Sequence, residues 1–109
     1  MSDSANRLRE TAVARAVRGP ARTSIEARIA AFANADVDPR ARSLVDNVAR
    51  HAWRVTDEDV AAAKAAGLSE DEIFELVVCA ALGQSSRQLT SALAALDAAT
   101  ADEGGGPNR

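Results

Sequence analysis

Apolar residues in this chain recur mostly at spacings of three and four, the period of a helix with one buried face. Ile25, Ile29 and Phe32 form one such stripe, and Thr23 and Ser24 before it carry hydroxyls suited to an N-cap. Polar residues from Asn34 to Asp38 break that helix, and Asp38-Pro39 reads as the next start, with aspartate as cap and proline at the first helical position. Leu44, Val45, Val48, Ala49 and Ala52 supply the apolar face of this helix, which ends near Trp53. Thr56 to Asp59 is a second start, its acids placed at the positive end of the helix dipole. The short alanine-rich helix that follows stops at Gly67, with Leu68 as an apolar clasp. Ser69 and Glu72 then frame a capping box for one long helix, predicted over about Glu70 to Ala98. Ile73, Leu76, Val77, Ala80 and Ala81 lie on its wide apolar face, continued by Leu89, Ala92, Leu93 and Leu96. Gly83 inside this helix costs about 1 kcal/mol relative to alanine, which points to close approach of a neighbour.

The two ends read differently. Residues 1–22 are poor in apolar side chains, close on Gly19-Pro20, and carry Arg7, Arg9, Arg15, Arg18 and Arg22 against Asp3 and Glu10. They are expected to form a flexible basic arm with at most a weakly amphipathic helix over Leu8 to Val17. The arm is either solvated or able to touch nucleic acid or an acidic partner. A helical domain is expected over residues 23–100 and a disordered tail over 101–109, where a run of glycines follows Asp102.

Composition narrows the class. A length of 109 residues allows one small domain. Alanine dominates, aromatics are 3% and tyrosine is absent, which argues against a sandwich or barrel and for an all-α fold. A single cysteine excludes an intramolecular disulfide and fits a reducing, cytoplasmic location. The N-terminus has no apolar leader core, and the longest apolar stretch, Leu76 to Leu82, falls far short of the roughly 20 residues of a membrane span. Net charge is −3, and the acidity outside the arm argues against nucleic acid as a partner. One histidine, no phosphate loop and no dinucleotide fingerprint leave no expected metal and no expected cofactor. Three or four short helices cannot cover a helix about 40 Å long, so a homo-oligomer is expected, with Gly83 and the alanines making tight helix contacts.

Residues 55–93 resemble the carboxymuconolactone decarboxylase family, also called alkyl hydroperoxidase D-like. The resemblance is carried by AAGLSEDEIFEL (residues 65–76), a helix–glycine–capping-box–helix unit, by the alanine-rich helix after it, and by ARHAWRV (residues 49–55) before it. It implies an all-helical bundle with one long C-terminal helix that assembles as an oligomer. Peroxidase members carry a glutamate, a Cys-x-x-Cys pair and a histidine. With Glu75 on that glutamate, Arg87 and Thr90 fall where the cysteines belong and Ala94 falls near the histidine, so the dithiol chemistry is absent. The likeness is better to the redox-silent helical segment that follows the active unit, where an arginine often stands near the position of Arg87. This implies a short or partial member of the family.

Four side chains are candidates for chemistry. His51, at a helix end beside Trp53, suits a general base or a C-terminal cap. Glu75 is one turn before Cys79 on the same face and is either a proton carrier or a solvent-facing residue. Arg87, in the polar cluster from Ser85 to Gln88, is either a carboxylate anchor or part of a polar layer that sets oligomer register. Cys79, in an apolar run beyond the reach of the helix N-terminus, is a core residue or a thiol that pairs across an interface. Trp53 suits a pocket wall or an interface anchor. Three functions stay open on these residues. One is acid–base chemistry on a small organic acid by His51, Glu75 and Arg87, as in the decarboxylase branch. Another is a non-catalytic helical oligomerisation or accessory subunit, and the third is a single-cysteine antioxidant protein using Cys79.

Overall fold

A computed structural model of the chain describes residues 3–105, all of them in helices or the turns between. The order is α1 (Asp3–Arg18), α2 (Ile25–Ala33), α3 (Arg42–His51), a 3₁₀ turn at Ala52–Arg54, α4 (Asp57–Ala65) and α5 (Glu70–Gly105). The expected all-α class is what the structure has, with no strand among the described residues.

Helix α5 is the spine, and α1 to α4 all pack on it, α2 most extensively. Its 36 residues extend for about 54 Å at 1.5 Å per residue, which draws the molecule out to 63 × 28 × 21 Å. The radius of gyration is 17.5 Å, against about 13 Å for a spherical domain near this length. Only the first half of α5 is surrounded. Ile73, Leu76, Cys79, Ala80 and Gly83 are buried there, whereas none of residues 84–101 is.

The local signals explain most helix ends. Ser24 caps α2 by accepting from the Ala27 amide at 3.0 Å. Thr56 and Asp59 form a reciprocal capping box on α4. Gly67, at φ 111°, ends α4, and the Leu68 amide reaches back to the Ala63 carbonyl at 3.2 Å while its side chain enters the core. Ser69 and Glu72 exchange bonds of 2.9 and 3.1 Å at the start of α5.

Four expectations change. Asp38-Pro39 does not begin α3. Asp38 instead accepts from the amide and guanidinium of Arg40 in a tight turn, and the helix starts at Arg42 behind an Ala41 that provides no side-chain cap. The stripe Ile25, Ile29 and Phe32 is not the buried face of α2. Ile25 and Ile29 are each 39% exposed, and the face turned inward is Arg28 and Ala31. Ala31 on α2 and Gly83 on α5 let the two backbones approach, which an isoleucine at the contact would prevent. The segment expected to be a flexible arm forms the 16-residue helix α1, which buries Val17 in the core and packs Val13 against it. The long helix passes Ala98 and continues to Gly105, so part of the expected tail is helical, and residues 106–109 lie outside the described residues.

The core is built from small side chains. Ala31, Ala41, Ala49, Ala63 and Ala80 are buried beside Leu44, Val45, Val48, Leu68, Ile73 and Leu76. Each fully buried valine, leucine or isoleucine contributes about 1.5–3 kcal/mol, and the alanines contribute mainly by letting helix axes come close. Gly83 is the extreme case, because a Cβ there would overlap the carbonyl oxygen of Phe32 on α2. The substitution Gly83→Ala, which in an open helix stabilises by about 0.5–1 kcal/mol, is therefore expected to destabilise by about 2 kcal/mol or more. The shift of the urea midpoint against the native chain measures it.

Candidate functional site

Side chains rich in chemistry gather along the contact of α5 with α1 and α2, and each addresses a helix end. Glu75 reaches the turn before α2, where its carboxylate accepts from the Arg22 amide at 3.0 Å, the Thr23 amide at 2.8 Å and the Thr23 hydroxyl at 2.7 Å. These donors precede the first turn of α2, so Glu75 sits at the positive end of that helix. Partial burial pushes its carboxyl pKa up, but the bonds from Arg22 and Thr23 and the nearby charge of Arg28 outweigh this and hold it below the ordinary value of 4.5.

Arg87 stands at the other end of α2. One guanidinium nitrogen donates to the Phe32 carbonyl at 2.7 Å and the other to the Gln84 side chain at 3.3 Å. Phe32 is in the last turn of α2, so the cation occupies the negative end of the helix. Arg87 also lines an open cavity of about 470 Å³ with Arg50, Gln84, Asn34, Ala33 and Ala49. Arg50 is itself bound to Asp46 at 2.8 Å, and Asp46 accepts from Asn34 at 3.2 Å.

The sequence reading missed Arg28, which is only 2% exposed. It donates to the Ala16 carbonyl at 3.0 Å and the Gly19 carbonyl at 2.8 Å, closing the C-terminal end of α1. Its Nε is buried and has no partner among the described residues. A clue was available in the α2 pattern, because Arg28 and Ala31 are three apart and share a face. Reading the isoleucines as the inner stripe hid it.

Cys79 is 1% exposed, and its thiol lies 3.6 Å from the Ala16 carbonyl under the last turn of α1. Burial raises the thiol pKa. Arg28 opposes this and Glu75 adds to it, leaving a net rise above 9.0. The geometry is that of an inert thiol. His51 is at the end of α3, with its ring edge-on to Trp53 at 5.2 Å and its Nδ1 buried without a partner among the described residues. Trp53 is 76% exposed beside it.

Glu75 and Cys79 are thus neighbours one turn apart, with Arg28 within electrostatic reach of both. Glu75 and Arg87 are separated by twelve residues of one straight helix, about 18 Å along its axis. No hydrogen bond among the described residues links His51 to either of them. Proton transfer between groups needs about 3 Å or a single bridging water. Within one chain Glu75 and Arg87 are too far apart along α5 to share a reaction centre. Among the described residues no group of three histidine, cysteine or acidic side chains is arranged to hold a metal, and no helix is long and apolar enough to cross a membrane.

Two outcomes follow from these positions. A chromogenic thiol reagent is expected to label Cys79 only on the timescale of unfolding, with rapid labelling in denaturant. The Glu75 bonds contribute stability that is complete above pH 4.5 and is lost as pH falls through the lower folded value. Glu75→Gln is expected to destabilise by about 1–3 kcal/mol near neutrality, and the difference from the native chain should shrink as urea unfolding is followed down to about pH 3.

Compared with protein-family models, with curated proteins and with solved structures, the chain matches none.

Proposed function

We propose that this chain is a non-catalytic helical module that works by self-association, a homo-oligomer built along α5. The carrying observation is the placement of its aromatic side chains. The chain has three, and Trp53 and Phe74 are 76% and 69% exposed. Large apolar side chains with no cover are characteristic of surfaces made for contact with other protein. The engagement of Glu75 and Arg87 with the ends of α2, and the burial of Cys79, support the same reading, because each of these groups already has a structural role. The unit of α4, Gly67, the Ser69 box and α5 supports reading the chain as a short relative of the carboxymuconolactone decarboxylase group that lacks the dithiol. Sedimentation equilibrium tests the proposal. The expected mass is a whole multiple of 11.3 kDa greater than one, and a single-chain mass at every soluble concentration would refute it.

A second reading, binding of a small carboxylate without turnover, draws on Arg50 and Arg87 lining one cavity. Here a dicarboxylate such as succinate raises the melting temperature of the native chain, and the rise disappears in Arg50→Met. Equal melting with and without ligand removes this reading.

A further inference from the structure

We infer that the self-association surface is one face of α5, and that its occupant is the same face of a second copy running in the opposite direction. This rests on the self-association reading and adds the surface and its orientation. Phe74, Val78, Ala81, Ser85, Gln88 and Ala92 follow one another at spacings of four, three, four, three and four, which places them on a single seam. All are exposed except Val78, which is half-buried. The seam is turned away from the face that buries Ile73, Leu76, Ala80 and Gly83.

The seam carries no ion. From Leu76 to Leu96 the only charged residue is Arg87, and it is directed to the Phe32 carbonyl. In a chain that is 27% charged, a stretch of about 30 Å whose one charge lies off the seam presents a face that can be covered without desolvating an ion. Nucleic acid and charged peptides find no complement on it, whereas a second uncharged helix does.

Side-chain size sets the direction. Ala81 and Ser85 are small and lie mid-seam, so two helices crossing there can come close. Bulk is at one end, in Phe74 and Val78, and the other end is trimmed to Ala92. Antiparallel pairing about the midpoint sets Phe74 over the partner's Ala92, and Ala81 over the partner's Ser85. Parallel pairing would set Phe74 against its own copy and leave alanines facing alanines. Opposed helix dipoles favour the same arrangement. Trp53, which lines a shallow hollow with Ala81, Ser85 and Gln88, then flanks the crossing on each copy.

The seam from Phe74 to Ala92 is about 27 Å long and roughly 10 Å across, and with Trp53 adding about 150–250 Å² it amounts to roughly 400–500 Å² per copy. That is the scale of a small, reversible contact, below the roughly 800 Å² per partner of a standard interface.

The test joins a charge variant to a pair of cysteine variants. Ala81→Glu puts a charge on a side chain that is exposed in the single chain, so helix content and urea midpoint should stay near those of the native protein. Sedimentation should show loss of the associated species. Ala81→Cys and Ser85→Cys proteins, with buried Cys79 left in place, are oxidised separately and mixed, and disulfides are located by peptide mapping. The expected result is an 81–85 bridge that forms readily only in the mixture. Strong 81–81 and 85–85 bridges in the separate samples would overturn the antiparallel arrangement. A native oligomer indifferent to Ala81→Glu, with no bridge in any sample, would overturn the seam and leave self-association standing. A native chain of single mass throughout would remove both.

Discussion

The close crossing of α2 on α5 is the contact on which the rest of this fold depends. Gly83 leaves room for the Phe32 carbonyl where any side chain would collide with it, and this brings the two backbones together. Thr23 meets Glu75 and Phe32 meets Arg87, so the helices run in the same direction with α2 held at both ends. Two parallel dipoles at short range repel. An acid at the N-terminal end of α2 and a base at its C-terminal end offset that repulsion. The span fits as well. The nine residues of α2 rise about 13.5 Å, and the two staples on α5, one reaching Thr23 before the helix and one Phe32 in its last turn, bracket that length with about 18 Å between them.

The same logic extends to α1 through Arg28. A buried guanidinium is costly unless its donors are taken up, and here two of its bonds go to carbonyls at the C-terminal end of α1. The charge lies close enough to Glu75 to lower that carboxyl, and close enough to Cys79 to oppose the effect of burial on the thiol. α1 is otherwise lightly attached, with Val17 as its one buried apolar residue among those described. Arg28 thereby turns a polar helix into part of the bundle, and it buries the chain's single thiol beneath it.

How much of this could be read in the sequence depended on the range of the interaction. Capping boxes at Thr56 and Ser69 and the stop at Gly67 are settled within three or four residues, and they appear where the pattern placed them. Gly83 was legible as a point of close approach because a glycine inside a strong helix calls for a reason. The inner face of α2 was not legible. Hydrophobicity favours Ile25 and Ile29, and what decides against them is a backbone approach set by a glycine more than fifty residues away. Asp38-Pro39 misled for a related reason, since Arg40 competes successfully for the carboxylate that would have capped α3. Glu75 and Arg87 were identified as residues with a task. That the task is to hold helix ends depends on partners 52 and 55 positions away, which no spacing reveals.

Those roles bear on function through what they leave over. With its acid and its base bonded to the two ends of α2 and its thiol buried, the central part of α5 presents to solvent a face of Phe74, Val78, Ala81, Ser85, Gln88 and Ala92. The inner and outer faces of this helix then share a device, small residues at a crossing point with larger ones beside it. On the inner face Gly83 and Ala80 admit α2, with Ile73 and Leu76 packed alongside. On the outer face Ala81 and Ser85 are the gap, and Phe74 and Trp53 are the bulk left largely exposed in a single chain. A helix whose only role was to support α2 would carry lysine and glutamate on that outer face, because charge there keeps a monomer soluble and strengthens an exposed helix. Their absence over six turns is the feature on which the proposed self-association along α5 rests.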